Sequence, residues 1–344
     1  MIYSNAELHN VGELVAAPEL EAVRLQRVPE SVRMQLEEPA QLKTLNPGGA
    51  EIRFVINGGS ARVTLSCPDE AGVAWLFWGT FAAPNQPVRV GHETTTIEVQ
   101  IPDDIRRRFD ALPASIAKNL RYPPQVCRIV LRHGSVHLHG IEGDIRPPGP
   151  QERPDLTMLS YGTSITHGAA ASAFHLCYVA QTAWRLGVDL INFGVGGACR
   201  AEAAFADYMA GRTDWDFATL ALSVNMIGAG FSVDEFSSRT RYLIEKVAGE
   251  NTTKPVFVIS IYPYFGDWAD LQPNARGKPS EFRAALEQVV NGLSMPNVHF
   301  IPGPEILTDI SGLTVDMIHP GDLAMINMGE NLADKIRPII AQAR

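Results

Sequence analysis

Thr157-Met158-Leu159-Ser160-Tyr161-Gly162-Thr163-Ser164-Ile165-Thr166-His167-Gly168 is the stretch on which the reading of this 344-residue chain turns. An apolar run closes on a glycine and is followed at once by small hydroxyl side chains. A buried strand ending in a tight turn holds a short polar side chain at the carboxyl edge of a sheet, where open α/β folds place ligands and nucleophiles. Ser164 is therefore the first candidate nucleophile. A serine hydroxyl is weak at its own pKa, so the rest of the chain must supply a base and an oxyanion hole.

Downstream of this stretch, apolar strand-like runs recur at 189–193, 217–224, 255–262 and 297–301, the first strand being 156–161. Between them lie helix-like segments at 175–186, 201–209, 233–248 and 280–293. A last helix over 322–341 carries Leu323, Ile326, Leu332, Ile336 and Ile340 near helical spacing. Strands that are apolar almost throughout, alternating with helices, predict a parallel sheet covered on both faces.

Upstream the period is different. Residues 51–57, 61–66 and 95–101 alternate polar and apolar, with Gly58-Gly59 read as a turn between the first two. Val73 to Trp78 is denser and reads as a central strand, and two more strands, 127–131 and 135–141, flank His133-Gly134. Residues 1–148 thus read as an N-terminal β-sandwich. Four prolines between Arg146 and Pro154 predict a semi-rigid linker over 149–154, leaving 155–344 as the α/β domain.

Composition fits this division. The chain is longer than one core usually serves, and with 45% hydrophobic and 19% charged residues it reads as globular. The net charge of −9 divides as −2 over residues 1–150 and −7 over 151–344, which argues against a nucleic-acid partner. Arg106-Arg107-Arg108 reads as a solvated helix face. No apolar run is long enough to span a membrane, and the N-terminal residues show no signal-peptide pattern. The expected location is the cytoplasm, where Cys67, Cys127, Cys177 and Cys199, widely spaced, read as reduced thiols.

In a parallel sheet the chemistry is expected just after each strand. The loops there deliver Gly162-Thr163-Ser164, Gly194-Val195-Gly196-Gly197, Ser223-Val224-Asn225 and Asp316-Met317-Ile318-His319-Pro320. His319 is the best base, since imidazole titrates near working pH. Asp316, three residues earlier, is placed to accept its Nδ1–H. Pro320 reads as the start of the last helix. Gly197 has no side chain to block its N–H, Gly196 is its neighbouring alternative, Asn225 can add an amide donor, and Ser164 its own N–H.

These blocks, in this order, resemble the SGNH (GDSL-type) hydrolases over residues 155–344. The preceding domain is similar to that of a two-domain, carbohydrate-esterase-like branch with an N-terminal jelly-roll-like β-sandwich. The resemblance implies a three-layer α/β/α domain in which Ser164 is nucleophile, His319 general base and acid, and Asp316 its orienter. It also implies an oxyanion hole of Ser164, Gly197 and Asn225. Thr163 stands where the family name has Asp, and Asn225 lies in Ser-Val-Asn-Met rather than Gly-x-Asn-Asp.

The expected activity is hydrolysis of short acyl esters, acetyl above all, on a small ester or an acetylated sugar, with no metal or cofactor. Thr163, His167, Tyr262 and Tyr264 are candidate substrate contacts, with Trp268 as a further aromatic and His167 as pocket wall or second base. Lipase or thioesterase chemistry on the same fold is one rival; a glycan-binding protein with a vestigial hydrolase domain is another. The sandwich is expected to serve sugar binding, homo-oligomer assembly or the shape of the entrance. Gly194-x-Gly196 with Asp214 is a partial dinucleotide fingerprint whose third glycine position holds Cys199. His137-x-His139 has metal-like spacing but no third ligand, and reads as surface histidines.

Overall fold

Five parallel strands carry the second half of the chain: β1 (Thr157–Gly162), β2 (Asp189–Gly194), β3 (Phe217–Ala221), β4 (Val256–Ile259) and β5 (Val298–Ile301). They lie in the order β2-β1-β3-β4-β5. Every residue of β2, β3 and β4 is buried, as expected of strands covered on both faces. The chain winds from β1 to β2 on one side and then crosses to β3 on the other. The carboxyl ends of β1 and β3 therefore flank the crevice where this strand order places ligands.

Around the sheet run α1 (Ser164–His167), α2 (Tyr178–Leu186), α3 (Ala203–Ala210), α4 (Val224–Gly228), α5 (Val233–Gly249), α6 (Pro279–Leu293) and α7 (Asp322–Gln342). α2 packs on α7, while α5 packs on both α3 and α6. The local sequence sets these ends: Ser232 and Glu235 form a reciprocal capping box at the start of α5, and Pro279 opens α6. The structure, a computed structural model, describes residues 1–84 and 86–342.

The chain divides into two compact units, Met1–Glu30 with Thr44–Asp155, and Ser31–Lys43 with Leu156–Arg344. The first is an antiparallel β-rich unit. Strands Glu13–Ala17, Ala22–Gln26, His137–Arg146, Glu51–Ser66, Val126–Arg132, Gly72–Trp78 and Phe81–Ala82 lie side by side in that order. Its core includes Leu8, Ile52, Phe54, Val63, Leu65, Trp78, Ile129 and Leu138.

Three sequence expectations change here. Gly58-Gly59 is not a turn: Glu51–Ser66 runs through it as one strand, paired with His137–Arg146 across register shifts near Gly143 and Asp144. Its two halves serve different neighbours, Val126–Arg132 before the glycines and Thr95–Val99 after them. Pro320 does not open α7 but bridges to Leu313, two residues before the helix starts at Asp322. His137 is buried rather than at the surface, with Nδ1 on the Ser135 carbonyl at 3.0 Å, while His139 Nε2 meets the Ser66 hydroxyl at 2.8 Å.

The proline-rich stretch has order of its own. Arg146 donates to both carboxylate oxygens of Glu152, at 2.6 and 2.8 Å, and Gly149 N–H donates to Glu152 at 2.7 Å. These bonds, with the Arg146 bond foremost, bring the Glu152 carboxyl down to about 2 against the opposing effect of burial. Arg106, Arg107 and Arg108 lie on the helix Asp103–Asp110, none of whose residues is buried.

Candidate active site

Ser164 stands at the head of α1, directly beyond the carboxyl end of β1. Thr163 precedes the helix in extended conformation, and its hydroxyl accepts the Ile165 N–H at 3.3 Å. The Ser164 N–H belongs to the first turn, which has no acceptor within the helix. Such a tight strand-to-helix passage needs room. Gly194 at the end of β2 provides it, because a Cβ there would run into the backbone N of His167.

The serine hydroxyl meets an imidazole across 155 residues of sequence. Ser164 Oγ lies 2.7 Å from His319 Nε2, and His319 Nδ1 lies 2.6 Å from Asp316 Oδ2. With Nδ1–H donating to the carboxylate, Nε2 is left to accept from the serine hydroxyl. Asp316 is itself fixed: its Oδ1 accepts from Thr314 Oγ1, Ile318 N and His319 N, each at 2.9 Å. Burial pushes the Asp316 carboxyl up, but the His319 backbone and ring bonds, with those from Ile318 and Thr314, hold it well below the usual carboxylate range. The turn is tightened by Thr314 N donating to His319 O at 2.7 Å, with Met317 left-handed at φ 56°. Sequence reading passed over Thr314; a hydroxyl two residues before the aspartate is its only local signal.

After β2 the chain turns at Gly196-Gly197. A Cβ on Gly196 would stand 3.8 Å from Ser164 Cβ and 3.9 Å from His167 Nδ1, so this turn lies against the serine. Gly197 is exposed with φ +74°, a conformation that favours glycine, and the space beside it is open. Two residues on, Cys199 N donates to Asn225 Oδ1 at 3.2 Å, and the Ser223 hydroxyl donates to Cys199 O. Asn225 lies in the first turn of α4. Its oxygen being engaged, the side-chain NH₂ is the end left to donate.

Beside these groups is a narrow cleft whose lining includes Thr163, Ile165, Val224, Tyr262, Tyr264 and Ile318. Thr163 and Ile165 flank Ser164, Val224 precedes Asn225, and Ile318 precedes His319, so the cleft adjoins all three loops. Tyr262 and Tyr264 are buried rather than at its rim. Tyr262 packs edge-on to Tyr178, with ring centroids 5.8 Å apart, and Tyr264 Oη donates to Gln272 at 2.6 Å. Trp268 is exposed. His167 borders the Gly196 turn, while the imidazole on the serine hydroxyl is that of His319.

Among the described residues no group of three or more His, Cys, Asp or Glu is arranged to hold a metal ion. None of the described helices is long and apolar enough to cross a membrane.

The GDSL-like lipase/acylhydrolase family matches residues 156–341. No protein of curated function matches the sequence. Among solved structures, the salicylyl-acyltransferase SsfX3 from a tetracycline biosynthetic pathway is similar at a TM-score of 0.78 and 13% identity, over 97% of this chain and 95% of that one. A family two carbohydrate esterase from Cellvibrio japonicus is similar at a TM-score of 0.61 and 12% identity, over 99% of this chain and 97% of that one. An acetyl xylan esterase (Est2A) from Butyrivibrio proteoclasticus is similar at 0.57 and 12% identity, over 86% and 91%. At these identities the likeness is one of fold.

Proposed function

This chain belongs to the GDSL-like lipase/acylhydrolase family, and we propose that it is a serine esterase hydrolysing short acyl esters, acetyl above all, through an acyl-enzyme. The observation that carries this reading is the unbroken relay from Ser164 Oγ to His319 Nε2 and from His319 Nδ1 to Asp316, at 2.7 and 2.6 Å.

In this mechanism His319 takes the Ser164 proton as Oγ attacks the ester carbonyl. Asp316 keeps the imidazole in the right tautomer and stabilises its charged form. The N–H groups of Ser164 and Gly197 and the amide of Asn225 receive the developing oxyanion. His319 then gives its proton to the departing alcohol. A water, deprotonated by the same imidazole, attacks the acyl-enzyme, and His319 returns that proton to Ser164 Oγ as the acid is released. The narrow cleft bounded by Ile165, Val224, Tyr262 and Ile318 suits a small acyl group better than a long chain.

An acetylated sugar is the substrate class we favour, in keeping with the carbohydrate esterases that share the fold. The four cysteines are buried thiols, which supports a reducing compartment such as the cytoplasm. The test is hydrolysis of p-nitrophenyl esters of increasing acyl length, and of acetylated sugars, by wild type and Ser164→Ala. Acetyl should be turned over fastest and only by wild type. Equal turnover by both, with folding intact, would sink the assignment.

A further inference from the structure

Residues 31–43, remote in sequence from every block of the site, pack into the second unit. Glu37 is the residue by which this segment grips the loop after β2. Its backbone N–H donates to Glu202 Oε2 at 2.6 Å, its Oε2 accepts from Arg200 Nη1, and its Oε1 accepts from Arg239 Nη1 at 2.8 Å. Arg239 also donates to the Arg200 carbonyl at 3.4 Å, and its guanidinium lies 4.6 Å from the centroid of the Phe231 ring. One side chain and one amide from outside the family-matched region thus hold both ends of Arg200-Ala201-Glu202.

The segment so held is strained. Ala201 is left-handed at φ 50°, unusual for a residue with a Cβ, and its N–H donates to Tyr161 Oη at 3.2 Å. Such a residue persists only where its surroundings over-determine it. Immediately before it, Cys199 N–H fixes Asn225 Oδ1, and Cys199 follows Gly197 by two residues. A continuous path of contacts therefore runs from Glu37 through Arg200 to Cys199 and on to the Asn225 amide.

We propose that Glu37 is a positioning residue for the oxyanion hole, acting through Arg200 and Cys199 on the orientation of Asn225. The proposal rests on the esterase reading above. An isolated ion pair at a surface contributes little; here three attachments converge on one residue and on a loop that directly follows Cys199, whose N–H holds a proposed oxyanion donor. Donors to an oxyanion act chiefly in the transition state, and small displacements are costly there.

The experiment measures kcat and KM for acetyl-ester hydrolysis by wild type, Glu37→Gln, Asn225→Ala and the double variant, with Ser164→Ala as control. Glu37→Gln should lower kcat about tenfold with KM little changed. In the Asn225→Ala background it should have almost no further effect, because the group it positions is gone. Unaltered kcat in Glu37→Gln, a change confined to KM, or the same loss in both backgrounds would each overturn the proposal. If Glu37→Gln does not fold, as judged by thermal unfolding, Arg239→Gln and Arg239→Lys replace it: lysine should retain more kcat than glutamine, and equal losses count against the clamp. Activity that survives Ser164→Ala defeats the esterase reading itself. Ser164-dependent activity indifferent to Glu37 defeats only this inference.

Discussion

The side-chain oxygen of Asn225 accepts the backbone N–H of Cys199 at 3.2 Å, joining the loop after β3 to the loop after β2. That bond decides which end of the amide faces outward. An NH₂ held in place before reaction costs no reorganisation as charge develops on the substrate oxygen. Asn225→Ala is therefore expected to lower kcat for acetyl-ester hydrolysis by about 10²–10³ with little change in KM. Asn225→Asp, which keeps the shape and the Cys199 bond but offers a carboxylate to the oxyanion, should lose at least as much. Steady-state kinetics of the two variants check this, and a loss confined to KM would place Asn225 in ground-state binding instead.

Asp316 is expected to matter through its charge and through which oxygen faces the ring. Oδ1 is filled by three donors and Oδ2 by His319. In Asp316→Asn an NH₂ must confront either those donors or Nδ1–H, so the imidazole loses its orientation or its tautomer. The expected loss in kcat is about 10²–10⁴. Thr314→Val removes one donor of several and should cost about fivefold, in line with a single hydrogen bond. With its carboxyl held below the usual range, Asp316 stays ionised at ordinary assay pH, so it should add no acid limb to the kcat profile above pH 5. A kcat for Asp316→Asn within tenfold of wild type would contradict the assignment.

Legibility in the sequence followed the range of the forces involved. Ser164 and Asp316-x-x-His319 were readable because each depends on a few adjacent residues: a strand end with a small hydroxyl, and a turn that brings a carboxylate to its own histidine. The strands of the second unit were readable because they are apolar almost throughout, and its helices because their burial is periodic. The role of Gly58-Gly59 was not. Whether two glycines turn a strand or let it pass between partners depends on neighbours near Asp144, far along the chain. Glu37 left no local signal either, since its partners Arg200, Glu202 and Arg239 lie more than 160 residues away. Nothing in Pro320 itself distinguishes a helix start from a bridge to Leu313.

In the first unit, Glu51 is expected to be a main determinant of stability. It is buried, accepts from Arg53 Nε at 2.8 Å and receives two bonds from Arg128 at 2.6 and 2.8 Å. Arg128 in turn lies over the Tyr122 ring, 4.0 Å from its centroid. Burial alone would raise the Glu51 carboxyl, but Arg128 and Arg53 overcome it and hold it far below the usual range. Removing the carboxylate takes from the buried Arg128 its counter-charge and leaves Arg53 with the more distant Glu7, at 3.7 Å. Glu51→Ala should therefore destabilise this unit by about 3–5 kcal/mol. Urea unfolding followed by tryptophan fluorescence, with Trp75 and Trp78 on the strand beside Arg128, is the measurement. An unshifted midpoint would show that water or a neighbour replaces the carboxylate.

Glu202 gives the second unit a pH dependence of opposite sign. Burial pushes its carboxyl up to about 7, and the negative charge of Glu37 adds to this, against the Glu37 N–H bond and the charges of Arg239 and Arg200. Of the other groups facing it, Tyr161 and Cys199 are themselves pushed up by burial, Cys199 to about 11, and so stay neutral near pH 7. Glu37 is shifted down despite its partial burial, because Arg239 and Arg200 hold it, so it stays charged. A carboxyl that titrates higher when folded than when unfolded binds its proton more tightly in the folded state. Its contribution to stability is complete below about pH 4.5 and is lost as pH rises through about 7. Glu202→Gln, which cannot ionise, removes that dependence. The stability of wild type relative to Glu202→Gln should therefore fall steadily between pH 5 and pH 8, read from urea midpoints of the second unit at unit intervals. Parallel curves for the two proteins would mean that Glu202 ionises no higher when folded than when unfolded, and that its bond to Glu37 N–H outweighs its burial.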